Sequence, residues 1–198
     1  MLYNKFLYNN LICSTWKERL VSLLLEKRIA LYSPHTSWDS VRGGVNDWLA
    51  SCFHIQTSIP VNPGADSDVG SGRLLRLNES IKLSDAVKAV KVHTGLSYVR
   101  VAVAKGKSMN AEIQTIALCA GSGASVLKNI AADLYLTGEM LHHDVLDATQ
   151  KGISVILTNH SDSERGFLKS FAIELFERLE NQVQVFVSKC DKDPLLTV

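Results

Sequence analysis

Two segments of the sequence share one arrangement of residues that could bind a metal ion. His35 is followed by a hydroxyl residue, two variable residues and Asp39, and His160 is followed in the same way by Glu164. A histidine and a carboxylate four positions apart face the same way when the turn between them is helical. Together they offer nitrogen and oxygen ligands to Zn²⁺, Mn²⁺ or Fe²⁺. The alternative is structural: each histidine caps a strand end, and each acid lies at a helix N-terminus, where negative charge is favoured.

A second constellation lies between these segments, near a predicted helix start. Glu139 precedes His142 by three positions and His143 by four, so either imidazole could meet the carboxylate on one helical face. Glu139 and His143 could then move a proton to or from a substrate. His142, like His35, could instead support a neighbouring metal ligand. The alternative is a pair of adjacent histidines on a solvent-facing turn.

A glycine-containing turn, Gly121-Ser122-Gly123, joins a predicted strand to a predicted helix. Its backbone N–H groups could bind an anion at the helix N-terminus. The alternative is a tight turn without a ligand. A dinucleotide site is excluded, because Val126 stands where that fingerprint needs its third glycine, and no Gly-Lys-Ser/Thr of a phosphate-binding loop follows.

The elements that must position these residues alternate between strands and helices. Strands rich in Val, Ile and Leu are predicted at 29–33, 113–119, 133–137, 153–158 and 182–189, with amphipathic helices between most of them. This alternation predicts the α/β class, with mixed sheets covered by helices. Ligands of open α/β sheets bind beyond the carboxyl ends of strands, where both His-to-carboxylate segments are predicted to lie.

The domain organisation follows from one loop and from the repeated histidine segment. Residues 58–72 concentrate Pro, Gly, Ser and Asp, which predicts a linker. It separates 14–57, expected to belong to a first α/β lobe, from 73–198, a second and related lobe. Residues 1–13 form a divergent leader without the continuous apolar stretch of a secretory signal.

Composition excludes several classes of function. The chain has 21 Lys and Arg against 20 Asp and Glu, so its formal net charge is +1, without the basic surplus expected for direct binding to nucleic acid or anionic membrane. No run approaches the roughly 18 apolar residues of a membrane helix. The four cysteines are far apart and form no C-x-x-C pair, which favours a reducing compartment over a disulfide framework or zinc knuckle.

Four segments together resemble one known family: SPHTSWD, ALCAGSGAS, ADLYLTGEMLHHDVLDA and ILTNHSDSERGFL. It is the Nif-three-like family (NGG-one-interacting factor three), which includes YbgI-type proteins and the type-2 GTP cyclohydrolase I homologues. The segments TWKERL, GVNDWLA and DKDPL resemble its animal branch. The resemblance runs from about Ser14 to Val198. It implies two α/β lobes, a toroidal homo-hexamer and a cleft with two divalent metal ions.

Carried onto this sequence, the resemblance implies Asp39, His160 and Glu164 as metal ligands. His35 matches the family's H-T-x-x-D segment, and Glu139 and His143 match positions near the metal cleft. The family's N-terminal His-Pro segment has no counterpart, because no histidine precedes His35. The chain is therefore expected to be N-terminally truncated and to hold one ion in place of two.

Two functions remain open at this point, beside the alternative that the chain is only a stable scaffold with a degenerate site. The first is metal-dependent hydrolysis of a nucleotide or phosphoester, similar to the type-2 GTP cyclohydrolase assignment. The second is a non-enzymatic co-repressor or adaptor that acts through contacts with transcription-regulatory proteins. Both imply a cytoplasmic protein, also nuclear in the second case, that contacts neither nucleic acid nor membrane directly.

Overall fold

The computed structural model describes residues 14–66 and 68–195, so the predicted leader at 1–13 lies outside the described residues. The chain divides into two compact units, 1–35 and 36–198, which are described separately below. No helix in the described ranges is both long and apolar enough to cross a membrane.

The described part of the first unit contains one helix, α1, over Trp16–Glu26. The backbone N–H of Glu18 donates to the Thr15 hydroxyl, and the Thr15 N–H donates to the Glu18 carboxylate. This reciprocal capping box satisfies two N–H groups that have no partner inside the helix. These two bonds make Thr15 the residue that caps the start of α1.

The strand predicted at 29–33 is wrong. Residues 29–34 adopt no regular secondary structure, and the side chains of Ile29, Leu31 and Tyr32 are exposed. A strand exists only when a neighbouring strand accepts and donates its backbone hydrogen bonds, and no described strand pairs with this segment. His35 follows it with a positive φ of 47°.

The second unit contains the sheet and the remaining described helices. Its helices are α2 (Ser37–Ser40), α3 (Val45–Ala50), α4 (Leu83–Thr94), α5 (Ala124–Leu127), α6 (His142–Gln150), α7 (Asp162–Arg165) and α8 (Phe167–Arg178). Its strands are β1 (Ile55–Ile59), β2 (Asn62–Pro63), β3 (Gly70–Ser71), β4 (Arg73–Lys82), β5 (Arg100–Ala102), β6 (Glu112–Cys119), β7 (Leu134–Thr137) and β8 (Ser154–Leu157).

Six of these strands form one mixed sheet in the order β1-β4-β6-β7-β8-β5. The central strands β6, β7 and β8 are parallel, and the outer pairs are antiparallel. The register of the parallel strands aligns Cys119 with Thr137 and Thr137 with Leu157, so their carboxyl ends meet at one edge of the sheet. The predicted α/β class is confirmed.

Alternate residues of the central strands pack on opposite faces of the sheet. Ile116 and Leu118 of β6 join the core cluster that contains residues of α3, α4 and α8. Ala117 and Cys119 join the cluster on the other face, with residues of α5 and α6. Since both faces are covered, the central strands read as continuous apolar runs, the feature that predicted them.

The strand predicted at 182–189 is also wrong. These residues form no strand, and Val183, Phe186 and Val187 are exposed. The alternating pattern QVQVFV suits a half-buried strand, but no described neighbour offers its edge to this segment. The hydrophobic pattern alone therefore predicted a strand that does not form, as it did at 29–33.

The loop predicted at 58–72 begins two residues later than expected. Ser58 and Ile59 belong to β1, and the remainder contains the short β2–β3 pair. Strand β1 begins in the segment 14–57, and it pairs with β4 in the large sheet. The division into two related lobes stays a prediction.

Candidate metal-binding site

Three loops meet where the parallel strands end. Residues 120–123 follow β6, residues 138 and 139 follow β7, and residues 158–161 follow β8. Because parallel strands deliver their carboxyl ends to the same edge, short loops can bring side chains from distant parts of the chain together. The predicted residues Glu139, His160 and Glu164 all come from these loops or from α7, which follows directly.

His160 contacts both carboxylates. Its Nδ1 lies 2.7 Å from Oε1 of Glu139, and its Nε2 lies 3.6 Å from Oε1 of Glu164. A carboxylate only accepts, so Nδ1 carries the proton of the shorter contact. The hydrogen bond to Glu139 raises the pKa of His160, burial lowers it, and the charge of Glu164 raises it further, with a net rise above the ordinary value. The imidazole is thus held in a fixed orientation.

Helix α7 places Glu164 next to His160. Ser161 is the residue before the helix, so the four positions that separate His160 from Glu164 span one helical turn, as the spacing predicted. Ser163 is fully buried, donates a hydrogen bond to the carbonyl of His160 and accepts one from the N–H of Gly121. The turn is therefore attached to the loop after β6.

Gly121 lets this attachment come close. Its φ is +67°, and a Cβ built there would lie 2.5 Å from Oε1 of Glu164 and 3.1 Å from Nε2 of His160. Such distances leave no room for a side chain, and the left-handed conformation favours glycine. The absence of a side chain keeps the space beside these two donor atoms open.

The turn at 121–123 uses most of its N–H groups internally. Gly121 donates to Ser163, and Gly123 donates to the buried hydroxyl of Thr137. Helix α5, which follows, has four residues. These contacts favour the tight-turn alternative over an anion site at Gly121, Ser122 and Gly123.

Asp39 is tied to the same edge by a buried amide that sequence reasoning missed. Asn46 is fully buried; its Nδ2 donates to the carbonyl of Asp39 at 2.8 Å, and its Oδ1 accepts from the N–H of Ala120 at 2.8 Å. The segment that carries Asp39 is thereby joined to the first residue after β6. A signal was present in the sequence, because Asn46 is a polar residue on the face of α3 that buries Val45 and Leu49.

An ion pair beneath this segment fixes α3 as well. Arg73 is 2% exposed, and its guanidinium donates to both carboxylate oxygens of Asp47 and to the carbonyls of Val41, Gly70 and Gly72. A buried guanidinium needs such a full set of acceptors to offset its desolvation. Asp47 follows Asn46 directly, so this pair and the amide bridge hold the same helix.

The pKa of the buried Cys119 thiol is affected by the carboxylates of Asp39 and Glu164. Burial raises the pKa of Cys119 to about 12, with further increases from the negative charges of Asp39 and Glu164 and a decrease from Arg73. The negative charges of both acids thus act on the same thiol, at the end of β6.

The remaining predicted residues lie outside this arrangement. His142 and His143 are exposed at the start of α6, with ring centroids 5.7 Å apart, and the hydrogen-bond partner of Glu139 is His160. His35 belongs to the first unit. Within residues 14–66 and 68–195, no three histidine, cysteine, aspartate or glutamate side chains are already grouped to hold a metal ion. Of the predicted residues, the structure brings His160 into contact with the carboxylates of Glu139 and Glu164.

Comparison with known proteins places the chain in a family. The model of the family Duf34/NIF3 (NGG1p interacting factor 3) matches residues 7–194. NIF3-like protein 1 of Drosophila melanogaster is 49% identical over 187 residues, which cover 93% of this chain and 63% of that protein. NGG1-interacting factor 3 of Saccharomyces cerevisiae is 40% identical over 186 residues, 87% of this chain and 63% of that protein. The chain thus spans less than two thirds of either relative.

A solved structure shows the same fold. A hypothetical protein of Staphylococcus aureus superposes with a TM-score of 0.78 at 21% identity, over 93% of this chain and 74% of that chain. At this identity the likeness concerns the fold alone. The family match over most of the chain and the two relatives confirm the resemblance of the sequence motifs, and the chain belongs to the Duf34/NIF3 family.

Proposed function

We propose that the chain binds a divalent cation at the carboxyl edge of the sheet, through His160, Glu164 and Asp39. The observation that carries the proposal is the Glu139–His160 hydrogen bond, which occupies Nδ1 and leaves Nε2 beside the Glu164 carboxylate. Histidine ligands of metals commonly hold their second nitrogen against a carboxylate in this way, which fixes the ring and makes the ligating nitrogen more basic.

The donor set suits a borderline metal ion. One imidazole nitrogen and two carboxylates match the preferences of Zn²⁺, Mn²⁺ and Fe²⁺. The missing side chain of Gly121 leaves open space next to Nε2 of His160 and Oε1 of Glu164. Both donor side chains are also partly exposed, so an ion could reach them from solvent. One ion is proposed for this chain, and two for a family member with a complete ligand set.

The reaction proposed for this site is hydrolysis of a nucleotide or another phosphoester. A bound divalent cation would lower the pKa of a water molecule towards neutrality and polarise a phosphoryl oxygen. Glu139 orients His160 through Nδ1, while Asp39 and Glu164 supply negative charge at the edge of the sheet. For proton exchange with a substrate we propose His143, which is exposed on the first turn of α6.

The binding step is tested by titration calorimetry with Zn²⁺ and Mn²⁺. We expect measurable binding by the wild-type chain, and its loss in His160→Ala and Glu164→Gln. The matched control is His54→Ala. His54 is exposed, and its carbonyl accepts a hydrogen bond from the N–H of Asn78 in β4. This part of β4 lies beside the start of β6, whereas the proposed ligands lie beyond the carboxyl ends of the parallel strands. A wild-type chain that binds neither ion, and holds no metal by elemental analysis, would contradict the proposal.

The reaction itself is tested separately. With Mn²⁺ present, release of phosphate or of a hydrolysed base from a panel of nucleotides should fall to background in His160→Ala. In His143→Ala it should fall by on the order of 100-fold if this residue transfers the proton. Binding of the ion without turnover of any nucleotide or phosphoester would contradict the proposed hydrolysis but not the proposed cation binding.

A second candidate function is that of a protein adaptor in transcription regulation. The observation in its favour is the name of the yeast relative, NGG1-interacting factor 3, at 40% identity. Metal-independent binding to purified NGG1, unaffected by His160→Ala, would support it. The proposed cytoplasmic and nuclear location is tested by imaging the tagged chain, and the proposed homo-hexamer by light scattering.

A further inference from the structure

The C-terminal segment contacts α7 through two acidic side chains. The carboxylate of Asp191 accepts from Nε and Nη2 of Arg165, at 2.7 and 3.1 Å. The carboxylate of Asp193 accepts from the hydroxyl of Ser161. A further bond, from Nη1 of Arg165 to the Ser161 hydroxyl, links the two contacts. Together, Asp191 and Asp193 are called the acidic strap below.

Each strap contact falls next to a proposed metal ligand. Ser161 follows His160 in the chain, and Arg165 follows Glu164. Helix α7 has four residues, too few for its own hydrogen bonds to stabilise it. Its buried residue Ser163 attaches it to the loop after β6, and the strap supplies contacts at both of its ends. The separation of the two donors therefore depends on contacts made from outside the turn.

The chemistry of the strap suits a positioning role. A planar guanidinium that donates two bonds to one carboxylate fixes orientation as well as distance. Asp193 is itself ordered by the backbone N–H of Leu195, which donates to its second oxygen at 2.7 Å. Arg165 also contacts Asp162, so one cation joins two acids that would otherwise repel each other.

The geometry points to the acidic strap as a positioning device that holds His160 and Glu164 at the separation a cation needs, with Arg165 and Ser161 as its positioning residues. This inference rests on the proposed cation binding. It adds that residues near the C-terminus, remote in sequence from the ligands, set the affinity of the site. A strap that only stabilised the fold would lower the melting temperature and leave the affinity of the folded protein unchanged.

The experiment measures Zn²⁺ affinity and the ¹⁵N imidazole spectrum of His160 in the full chain. In the double variant Asp191→Asn/Asp193→Asn we expect the affinity to fall by about tenfold, the lower end of the loss found when groups that orient metal ligands are removed. The imidazole resonances of the metal-free protein should also shift. Arg165→Lys keeps the charge but loses the two-bond geometry, and should show a smaller loss in the same direction.

The matched control is Glu174→Gln, which breaks an Arg–carboxylate pair on α8, away from the ligands. It should leave affinity and imidazole spectrum unchanged. The inference is overturned if the strap variant, folded by circular dichroism, binds Zn²⁺ within twofold of the wild type. If the wild type itself binds no Zn²⁺, the proposed function fails, and the metal-free spectrum decides on the strap: unchanged His160 resonances overturn it, and shifted ones support it.

Discussion

The hydroxyl of Ser163 accepts a 2.7 Å hydrogen bond from the backbone N–H of Gly121, although the two residues are 42 positions apart. The bond is buried, and it joins the turn that carries Glu164 to the loop that follows β6. The same hydroxyl donates to the carbonyl of His160, so one small side chain satisfies a donor and an acceptor in different loops. The geometry of the candidate site thus depends on Ser163, which is not itself a proposed metal ligand.

Replacement of Ser163 should destabilise the fold and weaken the site together. Ser163→Ala leaves the buried N–H of Gly121 without an acceptor, which costs about 1–3 kcal/mol of unfolding free energy. Chemical denaturation measures this loss, and Zn²⁺ titration should show weaker binding. The comparison variant is Ser170→Ala, whose hydroxyl donates to the carbonyl three residues earlier in α8. A loss no greater than in Ser170→Ala would refute the buried bridge.

Asn46 should be needed for the contribution of Asp39. In Asn46→Asp the shape is kept, but the group that donates to the carbonyl of Asp39 becomes an acceptor and repels it. We expect a loss of about 1–3 kcal/mol in unfolding free energy and reduced cation affinity. Asn46→Ala, which removes both hydrogen bonds of the amide, should also lower the unfolding free energy and the cation affinity. Wild-type affinity in a folded Asn46→Asp protein would show that Asp39 does not depend on the bridge.

Gly121 offers a test that separates backbone strain from the loss of the site. Gly121→Ala introduces a Cβ against Glu164 and His160, and should abolish cation binding. Gly106→Ala is the control, because Gly106 has a similar φ of +76° and nothing within 4 Å of its Cβ position. Both variants should lose about 1 kcal/mol in unfolding free energy from the left-handed conformation. Cation binding that survives Gly121→Ala would rule out the proposed position of the ion.

The stability of the sheet should fall in acid through Asp133. Burial raises the pKa of this carboxyl, but hydrogen bonds from the N–H groups of Thr115 and Gln114 and from the Thr115 hydroxyl lower it by more. A lowered folded-state pKa means that the stabilisation is complete above the ordinary value of 3.8 and is lost as pH falls below it.

Denaturation at several pH values checks this effect. Asp133→Asn should cost about 1–2 kcal/mol at pH 7, because charged acceptors hold N–H donors more strongly than amides do. The difference from the wild type should shrink as the pH approaches 3. Glu177→Gln, an exposed acid on α8, should show a difference near zero throughout. A constant penalty at all pH values would assign the effect of Asp133 to packing.

Local signals in the sequence predicted local structure well. The capping pair Thr15 and Glu18 starts α1, and Gly95 ends α4, because each of these signals acts within one helical turn. The apolar runs of β6, β7 and β8 predicted buried strands of an α/β sheet, and with them the carboxyl end of β8 beyond which His160 and Glu164 lie. The segments 29–33 and 182–189 were mispredicted, since pairing depends on a distant neighbour that alternation does not encode.

The contacts that hold the candidate site were not predictable in the same way. Asn46 and Ser163 are common residue types, and their roles depend on partners 74 and 42 positions away. In the sequence, Arg165 and Asp191 look like ordinary surface residues, because their ion pair forms only when α7 and the C-terminal segment pack together. Motifs identify candidate ligands, whereas the residues that orient them become visible only in three dimensions.

The position of Cys190 makes the acidic strap accessible to spectroscopy. Cys190 is exposed and directly precedes Asp191, whereas burial raises the pKa of Cys52 and of Cys119 to about 12 and so suppresses their reactive thiolate near neutral pH. With Cys13, which lies outside the described residues, changed to serine, a maleimide fluorophore or nitroxide spin label should attach selectively at Cys190. The probe would then record detachment of the segment from α7 in real time, as a change in anisotropy or line width.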